Sequence, residues 1–338
     1  MTMAKTVVAL EITEECVRAI EVTTGRAQSV VALGEVPLPA GAAKDSEVLD
    51  ADAVAVALRQ LWSQTGIKSR KVVLGIGSRR VLVREFSTPT MSLELIKASL
   101  PYQVQDLLPV PANQAVLDFY PVAESAGQVH GLLVAAVSET VEELLAAVRR
   151  AKLTVTRVDL TPFGLARVQR AVAAPGETSA IIYLGEHTSY VVVATDGVPD
   201  FVRVIPADIV APGLALAQIV EPEPELALVG GGSTRGRSSS RAAGGGAESV
   251  VADLVGRIRS TLAFYGGRPT SARIGSVHVT GPGAGMPEIS ARLEDAIDVP
   301  WKRVDLDTMA TLGLKIHVTA ESARNLVSTV GVVLGEEN

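Results

Sequence analysis

Two polar turns, each flanked by apolar runs, hold the residues best suited to chemistry. The first follows the run that begins at Val7 and contains Glu11, Thr13, Glu14 and Glu15, with Arg18 just beyond. A tight turn of this kind offers backbone N–H groups to an anion, a carboxylate can organise a cation, and a guanidinium can pair with phosphate. The second lies within residues 181 to 197, where Gly185, Glu186 and His187 form the turn and Tyr183 precedes it. Two further apolar runs end in Gly-x-Gly, at Gly75 to Gly77 and at Gly281 to Gly283, where the missing side chain permits close approach of a ligand. Together these segments suit a cleft between two similar halves that cradles a nucleotide. Other chemistry finds little support. Cys16 is the sole cysteine, which excludes an internal disulfide and a cysteine-built metal site. The four histidines, His130, His187, His278 and His317, show no metal-ligand spacing and are read as structural.

The elements that position these turns form a repeat. Residues 7–25 and 181–197 both read as strand, turn, strand, and Glu11, Thr13, Glu14 and Gly25 match Tyr183, Gly185, Glu186 and Gly197 at a constant offset of 172 residues without a gap. Such an echo points to duplication. A third strand at 30–36 has its counterpart at 201–205. Asp50 caps a helix over 51–65 that Gly66 stops, and 71–76 is a buried strand. A helix is also expected to begin after Ser92, broken or kinked at Pro101, with further helices over 139–151, 163–172, 249–265, 287–297 and 321–333. Residues 81 to 209 hold more than the basic plan requires, so an inserted subdomain is placed at about 88–152. The expected division is a first domain over 1–175 and a second over 176–338, with a disordered Gly/Ser/Arg loop at 230–247.

Composition narrows the class. The 338 residues suffice for two domains, and 47% of them are hydrophobic, yet no stretch reaches the roughly 18 uncharged apolar residues of a membrane-spanning helix. The first residues carry no export signal, which points to the cytoplasm. A net charge of −6 without an extended basic cluster argues against nucleic acid as a partner.

The ordered set of segments resembles the PilM family of type IV pilus assembly proteins, within the actin-like ATPase superfamily and related to the division protein FtsA. VVALEITEECVRAIEV is similar to the family's first phosphate hairpin, MSLELIKASLPYQVQDLLPVPANQAVLDFYPV to its inserted subdomain, and IIYLGEHTSYVVVATDGVPDFVRVIP to its second phosphate hairpin. RIRSTLAFYGG and VHVTGPGAGMPEISARLEDAIDVPW are similar to the helix before the adenosine motif and to that motif. The resemblance implies an α/β, actin-like (ribonuclease H-like), duplicated two-domain fold with an inserted small subdomain. It implies ATP and Mg²⁺ as cofactors, with Glu11, Thr13, Arg18, Gly185, Gly281 and Gly283 around the nucleotide and Glu11 near the metal. It also implies a cytoplasmic adaptor, peripheral at the inner face of the cell membrane. The inserted subdomain, through Tyr102, Gln105, Leu107 and Leu108, would hold the cytoplasmic tail of a PilN-like membrane protein, alongside other parts of the pilus machine.

The departures fall on the nucleotide cleft. The family's first hairpin carries Asp-x-Gly, small hydroxyl residues and a Lys, where this chain has Glu11-Ile12-Thr13-Glu14-Glu15 and Arg18. Tyr183 stands in place of the second hairpin's Asp, and Ala207-Asp208 in place of a Gly-Gly pair. Loss of the acid at 183 argues against hydrolysis, so no catalytic residue is assigned; binding without turnover stays open. The leading expectation is an adaptor with a degenerate cleft, its rivals a working ATPase and an FtsA-like filament former. The FtsA-like alternative is disfavoured by an ending, VVLGEEN, that lacks a basic amphipathic helix.

Overall fold

A computed structural model describes residues 5–25, 27–209, 240–269, 271–309, 312–314 and 316–335. The first half opens with β1 (Thr6–Ile12), β2 (Cys16–Thr23) and β3 (Gln28–Pro37), an antiparallel meander. A minimal hairpin of β4 (Ala43–Lys44) and β5 (Glu47–Val48) leads to α1 (Ala51–Thr65). The Asp50 carboxylate accepts hydrogen bonds from the free N–H groups of Asp52 and Ala53, and Gly66 ends the helix in the left-handed region. Val54, Leu58, Leu61 and Trp62 recur at helical spacing and are buried. Strand β6 (Lys71–Ile76) then pairs parallel with β1.

The chain next builds β7 (Leu82–Pro89), α2 (Leu93–Gln103), β8 (Ala115–Ser125) and β9 (Gln128–Val137), a separate antiparallel sheet in the order β7-β9-β8. It returns through α3 (Ser138–Arg150) to β10 (Thr154–Leu160), which pairs with β6, and leaves the first half along α4 (Thr161–Val172). The second half repeats the plan with β11 (Thr178–Tyr183), β12 (Thr188–Thr195), β13 (Val198–Pro206), α5 (Ser240–Gly266), β14 (Ser276–Thr280), α6 (Pro287–Ala296) and β15 (Trp301–Arg303). The order β10-β6-β1-β2-β3 of one sheet is matched by β15-β14-β11-β12-β13 of the other. The 172-residue echo is thus a repeat of topology as well as of sequence.

This alignment of the halves shows where the insertion lies. Helix α3 joins β6 to β10 as α6 joins β14 to β15, so α3 belongs to the basic plan, and Leu144, Ala147 and Val148 are buried in the main core. The extra sheet therefore occupies Leu82–Val137, not 88–152. Its own small core is Ile96, Leu100, Val104, Phe119, Val129 and Leu133.

The C-terminal segment also crosses the expected division at 175. β16 (Leu312–Leu314) adds to β3 of the first sheet, and α7 (Ala320–Asn325) and α8 (Val327–Gly331) replace the single closing helix expected over 321–333. Leu326, Val327, Val330, Val332 and Val333 are buried with β1 and β2. Helices α4 and α8 consequently lie between the two large sheets, with α1 and α3 outside one and α5 and α6 outside the other. Helix α5 starts at Ser240, nine residues before the expected cap at Ser249. The helix therefore runs through Gly244 to Gly246 despite their low helix propensity. The rest of the expected disordered loop, 230–239, lies outside the described residues.

α4 and α8 meet at glycine on glycine. A Cβ at Gly331 would lie 2.5 Å from the Gly164 carbonyl oxygen, and one at Gly164 would lie 2.9 Å from the Gly331 carbonyl carbon. Gly331→Ala should therefore destabilise the protein by about 1–3 kcal/mol in denaturant titrations. Gly256→Ala in α5 meets nothing within 4 Å and should stabilise it by up to about 1 kcal/mol.

Candidate functional site

The first candidate residue, Glu11, sits near the end of β1, opposite Arg18 of β2 and Gly75 of β6. It is 5% exposed and accepts three hydrogen bonds from its own chain. Thr161 Oγ1 donates to Oε1 at 2.7 Å, while Ser328 Oγ and Thr329 Oγ1 donate to Oε2 at 2.9 and 2.5 Å. Thr161 opens α4, and Ser328 and Thr329 belong to α8. One carboxylate therefore ties β1 to both helices between the sheets. A carboxylate has about four acceptor positions, and three are used here.

Arg18 is equally enclosed, at 3% exposure. Its Nε donates to Glu35 Oε2 at 2.9 Å, and its Nη1 donates to Tyr183 Oη at 3.1 Å and to the Asn325 carbonyl at 3.4 Å. Burial alone would lower its pKa, but the surrounding Cys16, Tyr183, Glu35 and Glu11 hold it well above the ordinary arginine value. Burial pushes the Tyr183 hydroxyl up to about 12 and the Cys16 thiol up to about 11. Tyr183 thus remains a neutral phenol that fills the position of the expected acid, its ring 5.9 Å from that of Tyr190. The Tyr190 hydroxyl donates to the Gly77 carbonyl.

At the mouth, the two hairpin turns contact each other. Thr13 Oγ1 accepts from the Cys16 N–H at 3.1 Å and closes the first turn. His187 from the second turn reaches across, placing Nε2 2.9 Å from Glu15 and 3.9 Å from Glu14, with Nδ1 2.8 Å from Asp208. The hydrogen bond to Glu15 outweighs burial and, with Asp208, raises the His187 pKa to about 9, so the imidazolium is charged at neutral pH. Burial works against the Glu15 carboxylate, but His187 overcomes this and holds its pKa low. Glu186 is raised by burial and by the adjacent Glu15 charge.

The structure brings Glu11, Thr13, Arg18 and Gly185 to one cavity, with Pro282 between Gly281 and Gly283 at its edge. The two Gly-x-Gly segments are not equivalent. Glu11 pairs with Gly75 but Tyr183 pairs with Thr280, which puts Gly281 in register with Ile76. Tyr102, Gln105, Leu107 and Leu108 lie apart, on the inserted sheet's helical cover. Tyr102 is 82% exposed and Leu107 38%, whereas Leu108 packs partly against the small core. Composition could not single out Thr161, Ser328 and Thr329, which come from helices distant in sequence; His187, read from the sequence as a structural residue of the second turn, instead bonds Glu15 across the mouth.

ATP with Mg²⁺ does not fit this arrangement. The cavity measures about 50 Å³, against roughly 300–1,000 Å³ for a small-molecule pocket. The Cβ positions of Gly185, Gly281 and Gly283 are taken by the Thr188 carbonyl and by Leu184, leaving no open cradle at these glycines. Glu14, Glu15 and Glu186 line the space and would repel phosphate, while Arg18 is committed to protein partners. Among the described residues, no group of three or more His, Cys, Asp or Glu is arranged to hold a metal ion.

Glu11→Gln would turn an amide N–H₂ toward hydroxyl donors or leave one of them unmet, and should cost about 1–3 kcal/mol of stability. The His187 contact has a definite pH signature. Its folded pKa lies above the ordinary 6.5, so its stabilisation is complete below that pH and lost as pH rises through about 9. The ionisation of Glu186, whose folded pKa is also raised, adds a penalty in the same direction. The melting temperature should fall from pH 6.5 to 9.5, and His187→Gln should flatten that fall while removing about 1 kcal/mol at pH 6.5.

The family model described as "Type IV pilus assembly protein PilM" matches residues 9–203, more than half of the chain. Solved structures share its fold. The PilM–PilN type IV pilus biogenesis complex matches at TM-score 0.79 and 21% identity over 97% of both chains. The ethanolamine utilization protein EutJ of Carboxydothermus hydrogenoformans matches at 0.52 and 12% identity, over 98% of this chain and 89% of that one. A Bacteroides thetaiotaomicron protein with an actin-like ATPase fold matches at 0.51 and 7% identity, over 98% and 96%. No curated protein sequence gives a significant match. The fold is therefore actin-like, as the repeated sheets require, and the chain belongs to the PilM family of type IV pilus assembly proteins.

Proposed function

We propose that the chain is an assembly adaptor whose cleft is held shut by its own side chains and whose work is recognition of a partner. The observation that carries this is the three-hydroxyl shell of Glu11: the carboxylate expected beside Mg²⁺ instead joins β1 to α4 and α8. The Arg18–Tyr183 bond and the small cavity support the same view. The partner we propose is the cytoplasmic tail of a PilN-like inner-membrane protein, since a solved complex of similar fold joins PilM to PilN. Its place on this chain would be the helical cover of the inserted sheet, where Tyr102, Gln105 and Leu107 are exposed beside Leu108. Among the described residues no helix is long and apolar enough to cross a membrane, so attachment through such a tail is consistent with the chain. We take residues 1–175 and 176–338 as the two actin-like halves, with the C-terminal segment returning to the first.

The rival is an ATP-binding form that opens the mouth between the two turns. It draws on the retained Gly185 and on a closure that relies on titratable groups. Millimolar Mg-ATP separates the two views: a ligand at 100 times its Kd would add about 2.7 kcal/mol to stability, and the closed adaptor should show no shift in melting temperature. A PilN-like tail peptide should be retained by the wild-type protein and lost with Tyr102→Ala combined with Leu107→Ala. Retention by that double variant moves the docking site elsewhere. Absence of binding by the wild type, together with a clear ATP shift, overturns the adaptor in favour of the ATPase.

A further inference from the structure

Two short basic segments, far apart in sequence, meet at one end of the first sheet. Residues 66–71 (GIKSRK) and 149–154 (RRAKLT) hold six Lys or Arg and no Asp or Glu, in a chain whose 31 Lys and Arg are outnumbered by 37 Asp and Glu. The pairing of β6 with β10 joins them: Lys71 lies opposite Thr154, and the Thr154 N–H donates to the Arg70 carbonyl at 2.7 Å. Lys68, Arg70, Lys71, Arg149, Arg150 and Lys152 are all exposed. Arg59 of α1 reaches the same cluster, its Nη1 donating to the Arg150 carbonyl at 3.2 Å. Lys5 is exposed just before β1, which runs parallel to β6 and starts at this end.

Local structure accounts for only part of this charge. Arg149 and Arg150 occupy the last turn of α3, where the helix dipole favours cations. No such dipole explains Arg70 and Lys71, which lead into a strand. Ion pairing explains little more. Arg150 binds the exposed Asp52 at 2.6 Å, and Glu21, near the same end of β2, accepts from Thr6 Oγ1 at 2.6 Å. Lys68, Arg70, Lys71, Arg149 and Lys152 have no acidic partner among the described residues. Lys152, the residue after the C-cap of α3, has a φ of +60°, a left-handed conformation in which glycine or asparagine is the ordinary choice, so a cation is kept there at a backbone cost. Unpaired charges on long exposed side chains suit an extended anionic surface, to which each adds a similar increment.

We infer that this end of the first half is a docking surface for anionic lipid headgroups, with Lys68, Arg70, Lys71, Arg149 and Lys152 turned toward the membrane. A net charge of −6 makes an anionic leaflet repel the molecule as a whole, so approach depends on this end. The choice of lipid over another polyanion rests on the proposed inner-membrane partner, which brings the chain to such a leaflet; the basic surface itself does not rest on it.

The test sediments the full chain, without any tail peptide, with vesicles of phosphatidylcholine alone or of phosphatidylcholine mixed with phosphatidylglycerol. At low salt the wild type should bind the mixed vesicles only, and about 1 M salt, where the screening length is about 3 Å, should release it. Arg70→Gln combined with Lys71→Gln should weaken binding about 25-fold, at roughly fivefold for each charge removed. Lys152→Gly should weaken it roughly fivefold while raising the melting temperature, because glycine relieves the left-handed backbone, which separates lost charge from lost fold. Failure of the wild type to bind the mixed vesicles, equal binding to phosphatidylcholine alone, or undiminished binding by both variants overturns the proposal. Retention of the wild type by heparin but not by the mixed vesicles also overturns it, in favour of a soluble polyanion. Tyr102→Ala combined with Leu107→Ala should bind vesicles as the wild type does, so the tail-docking site and the lipid surface stand or fall separately.

Discussion

The buried carboxylate of Glu11 is the interaction on which the arrangement of the halves depends. It is enclosed at the end of β1, and an isolated charge in that position would be costly without donors. Thr161, Ser328 and Thr329 supply them from the two helices that lie between the sheets. The same bonds therefore neutralise the cost of burial and fix α4 and α8 in place. The glycine contact at Gly164 and Gly331 allows those helices to approach closely enough for one carboxylate to reach both.

The contacts across the cleft follow from this geometry. Arg18, one strand over, extends toward the second half and meets the phenol of Tyr183, which stands at the position equivalent to Glu11 in the other repeat. In the first half the position is a carboxylic side chain bound by hydroxyls; in the second it is a neutral phenol bound by arginine. Arg18 and Tyr183 thus bond across the interface between the halves. At the mouth, the imidazolium of His187 performs a related task for Glu15 and Asp208, offsetting carboxylates that would otherwise repel one another. The energetics are those of a satisfied polar interior, strong when every member is paired and sensitive to the loss of any one.

The inserted sheet follows a different rule. It carries a small core of its own on one face, while Leu132, with Val83, Tyr120, Val122 and Val134 beside it, joins the main core on the other. Its exposed apolar residues, Leu95 and Tyr102 on α2 and Leu107 beyond it, are displayed on the side of this sheet away from the main core.

Much of the architecture was legible in the residue order. Local rules sufficed for α1, whose cap, apolar face and terminal glycine all agree, and for the hairpins, whose alternation and turn residues repeat at a constant offset. The actin-like plan followed from that repeat and from the family resemblance. The limits appeared wherever partners come from distant parts of the chain. The end of the insertion depended on α3 matching α6, and the return of the C-terminus to the first half on β16 finding β3, while the early start of α5 runs against its Gly-rich composition. The cleft shows the same division. The sequence by itself placed Glu11, Arg18 and Tyr183 on two matching hairpins. Only the tertiary structure decided that Arg18 bonds Tyr183 and that Glu11 is held by hydroxyls of α4 and α8, because the hydroxyls and carbonyl that complete these shells lie about 150 to 320 residues away in sequence and are brought close by the two helices between the sheets.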